Sequence, residues 1–72
     1  MNQAATEFWA RERDSRRRSI IKGVPARVLR YHLERSGHRL PPDAEKVRVA
    51  ALEHWDEIEE AVFIWLDGAR GT

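Results

Sequence analysis

Between residues 44 and 65 the apolar side chains Ala44, Val47, Ala51, Trp55, Ile58, Val62 and Trp65 return at steps of three or four, which lays them along one stripe of a helix. Glu45, Arg48, Glu53, Asp56, Glu59 and Glu60 fill the opposite face. A helix with one apolar stripe must lay it against something, and no stretch of the chain alternates with period two to offer a strand. The expected fold class is therefore all-α, with helices packed on helices.

The breaks between helices are written in a few residues. Asp14 or Ser15 can cap a helix start, Gly23 interrupts, Pro25 suits the first turn of a new helix, Gly37 ends it, and Pro41-Pro42-Asp43 closes one element and caps the next. This punctuation predicts helices over about 3–12, 15–22, 25–36 and 43–67. Together they form a small four-helix single domain spanning 1–72, with a helix-turn-helix over about 15–36 and a long C-terminal amphipathic helix.

Seventy-two residues without a cysteine give a small core and no disulfide staple, a situation that short chains commonly resolve by oligomerising. Near the C-terminal end Phe63, Ile64 and Leu66 join Val62 and Trp65, more apolar surface than one small core can take. A homodimer is the expected partner, with Trp55, Ile58, Val62, Trp65 and Leu66 at its interface. The alternative is that Phe8 and Trp9 fold back and cover this surface within the chain.

The net charge of +1 hides a strong division. Residues 1–39 hold ten Lys or Arg against four acids, a balance of +6; residues 40–72 hold three against eight, a balance of −5. Such a basic half points to a polyanionic partner.

Residues 15–33, SRRRSIIKGVPARVLRYHL, carry the pattern of a helix-turn-helix. That motif wants a small residue where the first helix crosses the second, a glycine with positive φ in the turn, an apolar plug after it, and an inward apolar residue five positions later. Ser19, Gly23, Val24 and Leu29 stand at those positions, with Leu33 continuing inward; Lys22 departs from the apolar residue usual before the glycine. In this register Ala26, Arg27, Arg30, Tyr31 and Glu34 point outward from the second helix, and Arg16, Arg17 and Arg18 open the first. Arg can bond bidentately to guanine, Ala or Tyr can touch a thymine methyl, and arginines on the first helix can hold phosphates. The expected DNA-binding residues are Arg16, Arg17, Arg18, Ala26, Arg27, Arg30 and Tyr31, and the expected partner is double-stranded DNA.

Residues 16–33 also resemble the corresponding stretch of the anti-CRISPR-associated helix-turn-helix repressors of phages and mobile elements. The likeness is strongest over Gly23-Val24 and Arg27-Val28-Leu29-Arg30-Tyr31 and runs loosely through Pro42 to Ala51-Leu52-Glu53, about half of the chain. It implies a repressor whose operator contacts come from a pair of arginines opening the first helix and one at the start of the recognition helix, at positions matching Arg16, Arg17 and Arg27. A weaker likeness to the MerR-type motif lies in GVPARVLRYHLERSGHRLPP.

Other classes find less in the sequence. A small phage-type inhibitor or adaptor would use the acidic helix with Trp55, Phe63 and Trp65 to bind a host protein. An RNA-binding reading of residues 11–18 lacks an aromatic stacking platform. His32, His38 and His54 are not spaced to share a helix face as metal ligands, and no phosphate-cradling glycine loop is present. No enzyme, cofactor, metal or small-molecule substrate is therefore expected. Charges interrupt residues 1–14, and the densest apolar run, 61–66, is far short of the roughly 20 residues that span a bilayer. A cytoplasmic location without membrane contact is the expectation.

Overall fold

Interruptions at residues 23–25, 36–43 and His54 divide the chain into four helices. The computed structural model describes residues 3–70: α1 (Gln3–Lys22), α2 (Ala26–Arg35), α3 (Ala44–Glu53) and α4 (Trp55–Arg70), with no strand among the described residues. The all-α expectation holds. Helix α2 packs on α3 and α4, while α1 leans on α3.

Helix α1 runs unbroken through Asp14 and Ser15, where sequence reading placed a cap and a gap. Asp and Ser cost a helix only a few tenths of a kcal/mol each, and no Gly or Pro interrupts the segment, so the capping alternative loses. Among its described side chains only Ile21 is buried. The N-terminal half therefore projects as a solvated arm, with a Glu7–Arg11 pair at 3.8 Å along its surface. Phe8 and Trp9 meet edge to face at 5.5 Å and stay 55% and 66% exposed, so although Trp9 borders a groove with Trp55 and Phe63 of α4, the pair leaves the C-terminal apolar surface largely uncovered.

At the far end of α2 the chain reverses through a Schellman turn. Gly37 takes φ +98°, its N–H donates to the Glu34 carbonyl at 3.0 Å, and the His38 N–H donates to the Leu33 carbonyl at 3.1 Å. The Asp43 N–H then closes a tight turn on Pro41, and its side chain accepts from the Glu45 and Lys46 amides at 2.9 and 3.3 Å, capping α3 as the sequence predicts.

The long C-terminal helix is present as the 16-residue α4, but the earlier part of the predicted 43–67 span is a separate helix, α3. Helix α3 ends at His54 (φ −111°, ψ 28°), and α4 starts at once with Trp55. A straight helix over this stretch would be about 40 Å long, whereas ten-residue α2 offers about 15 Å to pack against. A bend at His54 lets both halves lie on α2. The middle of the apolar stripe survives the bend: Val47, Ala51, Trp55, Ile58 and Val62 are all buried, while at its ends Trp65 is half-buried and Ala44 is exposed.

Those residues close one core with Ile21, Val24, Val28, Leu29 and Leu33, against which Ile20, Leu40, Trp65 and Leu66 pack. The expected dimer interface is corrected here. Trp55 (3% exposed), Ile58 (1%) and Val62 (0%) are consumed by the chain's own core, because α2 supplies the apolar face that a second copy was expected to bring. Trp65 and Leu66 are half-buried, and Phe63 and Ile64 stand outside at 45% and 66%. No described helix is long and apolar enough to cross a membrane.

Candidate nucleic-acid interface

Consecutive residues on a helix are turned by about 100°, so Arg16, Arg17 and Arg18 cannot share one face. Arg18 lies with Arg11, Asp14, Ser15, Ser19 and Lys22 along a shallow groove, and Arg11, Arg18 and Lys22, with Ser15 between the first two, form a basic ridge at steps of four, three and four. Arg16 and Arg17 fall on the other flank, beside Trp9, Ile20 and, from α4, Trp55, Glu59 and Phe63. Arg17 is 25% exposed and reaches Asp56 at 3.6 Å. That pairing turns one of the expected DNA contacts toward the acidic helix. The spacing of Arg11, Ser15, Arg18 and Lys22 becomes legible only once α1 is one continuous helix rather than the two pieces that the sequence predicts.

The link at residues 23–25 is tight. The Gly23 N–H donates to the Ile20 carbonyl at 3.0 Å and the Val24 N–H to the Ile21 carbonyl at 3.2 Å, and Pro25 (φ −57°, ψ 139°) leads the chain off the α1 axis. Val24 is fully buried, as a plug between helices should be. Two details differ from the expected motif. Gly23 does not take a positive φ, since among the described residues only Gly37 does, and Ser19 is exposed rather than at a helix crossing. With α1 resting on α3, nothing forces a close α1–α2 crossing at Ser19. Ile21 supplies the burial that Lys22 does not.

Helix α2 buries Val28, Leu29 and Leu33 and leaves Arg27, Tyr31, Glu34 and Arg35 outside. Its N-terminus has no side-chain cap and no acid in the first turn; the Val28 N–H donates to the Pro25 carbonyl at 3.0 Å, while the Ala26 and Arg27 N–H groups and the helix's partial positive charge meet no side-chain acceptor. Arg27 is exposed and makes no side-chain hydrogen bond or ion pair among the described residues. Tyr31 is 54% exposed; its hydroxyl accepts from Arg35 Nη1 at 2.9 Å, and that guanidinium lies 5.6 Å from its ring. Ala26 is half-buried against the core.

Arg30 is employed differently from the expectation. Its Nε donates to Glu34 Oε1 at 2.8 Å and its Nη2 to the Leu40 carbonyl at 3.0 Å. This fork clamps the loop after α2 to the helix and commits two of the five guanidinium N–H donors of Arg30 within the chain. Of the seven expected contact residues, Arg16, Arg18, Arg27 and Tyr31 are exposed, while Arg17, Ala26 and Arg30 are partly buried.

A second cluster lies beneath the same loop. His38, next to the Schellman glycine, stacks on His54 at the α3–α4 bend with ring centroids 4.0 Å apart and planes 25° apart. Glu57 joins both rings: Oε1 is 2.9 Å from His38 Nε2 and Oε2 is 3.0 Å from His54 Nδ1. The His38 hydrogen bond, with help from His54, holds the Glu57 carboxyl below its ordinary value despite some desolvation. Helical spacing could not reveal this group, because one histidine sits in a loop and the other at a bend. Against known protein families, curated proteins and solved structures, the chain matches none.

Proposed function

We propose that this chain is a sequence-specific DNA-binding transcriptional regulator, a repressor of a phage or mobile-element operon that acts as a homodimer on an inverted repeat. The observation that carries the reading is the pairing of an unengaged Arg27 with an exposed Tyr31 on the first two turns of an uncapped helix, directly after a break from a helix bearing a basic ridge. Arg27 is assigned to a base edge and Tyr31 to a thymine methyl or the sugar-phosphate edge beside it. Arg11, Arg18 and Lys22 hold phosphates, and the free N–H groups opening α2 add another phosphate contact. Arg16 remains a phosphate contact at the rim of the α1–α4 groove, while Arg17 and Arg30 brace the scaffold. The resemblance to anti-CRISPR-associated repressors supports the regulatory role, and occupancy of the operator is the mechanism it implies.

In a mobility-shift titration on the DNA upstream of its own reading frame, the protein retards that fragment at low salt and loses on the order of a thousandfold in affinity at moderate salt. Arg27→Ala costs roughly 1–3 kcal/mol on the specific fragment and little on random DNA, whereas Arg18→Ala weakens both alike and lowers the salt slope by about one. Equal loss on both DNAs for Arg27→Ala removes it as a base reader. No retardation at low salt ends the DNA reading.

One observation favours a second reading. Phe63 and Ile64 project from α4 among Asp56, Glu59, Glu60 and Asp67, the composition of a protein-binding surface with aliphatic and aromatic anchors inside an acidic rim. Under the first reading this face joins two copies; under the second it docks a host protein and DNA is not bound. Sedimentation of the purified chain with and without upstream DNA separates the two.

A further inference from the structure

The His38, His54 and Glu57 side chains offer one imidazole nitrogen each and a carboxylate, and these donor atoms all lie within 4.8 Å of one another. We propose that this cluster is a divalent transition-metal site, for which zinc is the probe of choice, held by His38 Nε2, His54 Nδ1 and a Glu57 carboxylate oxygen with solvent completing the coordination.

The donor chemistry selects the ion class. Two imidazoles and one carboxylate suit Zn²⁺, Ni²⁺ or Cu²⁺ and offer too few oxygens for Ca²⁺ or Mg²⁺. The distances are close to what such an ion needs: bonds of about 2.0–2.1 Å in a tetrahedron put neighbouring donors about 3.3 Å apart. The two nitrogen–oxygen separations here are 2.9 and 3.0 Å. These run to different oxygens of the one carboxylate, and all the donor atoms lie within 4.8 Å of one another, so an ion requires a rotation of the Glu57 carboxylate and a splaying of the stacked rings. Neither ring is locked in the core, since the His38 and His54 side chains are 27% and 35% exposed.

The fold builds the cluster from separate elements, each fixed on its own account. His38 is set by the positive-φ turn at Gly37 and by its own amide bond to Leu33, and Arg30 clamps the same loop through Leu40. His54 is the residue at which the helix bends, and Glu57 stands in the first turn of α4, its amide bonded to the His54 carbonyl at 3.0 Å. An ion at this point staples the loop after α2 to the α3–α4 bend, tying together three of the four helices. A short chain with no disulfide gains most from such a staple.

Binding takes each imidazole through a deprotonated nitrogen, so a ring proton now directed at Glu57 moves to the other nitrogen or to solvent, and acid releases the ion. The site stands independently of the DNA reading, because none of its ligands belongs to the proposed contact residues.

The test uses the full, tag-free chain stripped with chelator. Titration with ZnCl₂ followed by calorimetry gives one ion per chain, and a hundredfold excess over Kd raises the Tm by on the order of 10 °C. His38→Ala, His54→Ala and Glu57→Gln each weaken binding tenfold or more, while His32→Ala, which alters the one histidine outside the cluster, leaves it unchanged. Co²⁺ in place of Zn²⁺ gives the visible spectrum of a four- or five-coordinate nitrogen–oxygen site. Should a His variant fail to fold, imidazole ¹⁵N spectra of the wild-type chain decide: zinc shifts the His38 and His54 nitrogens and spares His32. A stoichiometry that survives loss of both His38 and His54, equal shifts at all three histidines, or no saturation below millimolar zinc overturns the site.

Discussion

Two glycines flank α2, and the structure assigns them opposite costs of substitution. Gly37 sits at φ +98° with nothing within 4 Å of where a Cβ would stand, so alanine there meets only backbone strain. Gly23 has an ordinary negative-side backbone, and its Cβ would touch the Ile20 and Ser19 carbonyls at 3.5 and 3.9 Å, which is normal contact. Both substitutions restrict the unfolded chain equally, a gain of about 0.4–1 kcal/mol. Only Gly37→Ala also incurs the left-handed penalty of roughly 1–2 kcal/mol. Gly23→Ala is thus neutral to stabilising, Gly37→Ala is destabilising by up to about 1.5 kcal/mol, and the difference between the two isolates the strain. For a domain of this size that difference separates the two melting temperatures by roughly 5–15 °C. Urea melts followed by circular dichroism, with unchanged m-values, measure it directly. If Gly23→Ala proves the costlier of the two, the link at 23–25 needs a positive φ after all, and the turn described above is wrong.

Other expectations follow from the same contacts. Ile58→Ala leaves a cavity in the core and destabilises by about 2–5 kcal/mol in denaturant melts, whereas Ile64→Ala changes monomer stability by less than about 0.5 kcal/mol and weakens self-association in sedimentation if α4 is the dimer face. Arg30→Ala loses its bond to the Leu40 carbonyl and lowers stability by about 1 kcal/mol, while the specific-to-random DNA affinity ratio in mobility shifts stays within a few-fold of wild type; a large loss of specificity would return Arg30 to the base readers. Glu57 has a lowered carboxyl value, so its bonds to His38 and His54 add stability above the ordinary carboxylate value of 4.5, and that contribution fades as pH falls through the lower folded value. The acid limb of a pH–stability profile should therefore flatten in Glu57→Gln, and an unchanged limb would mean the carboxylate is not held by the two rings.

Much of the fold was already decided locally. Period in the apolar residues fixes helix as the only regular structure, Gly37 and Asp43 write a C-terminal turn and an N-cap that need no distant contacts, and the run from Gly23 to Leu33 dictates which side chains of α2 go inward. Arg27 and Tyr31 were legible as outward residues for the same reason, since the 3.6-residue period turns them away from Val28, Leu29 and Leu33.

What sequence could not settle depended on which helix lies against which. The stripe from Ala44 to Trp65 is buried over Val47 to Val62 but exposed at Ala44, and periodicity is silent about whether α2 or a second copy covers it; α2 does. Short α2 also forces the bend at His54, which no glycine or proline announces, and the bend brings His54 to His38 from sixteen residues away. Arg17 and Arg30 are outward on an isolated helix but find Asp56 and the Leu40 carbonyl once the chain folds back. Local spacing sets where a side chain points from its own helix, and only the packing of one helix on another decides what it meets there.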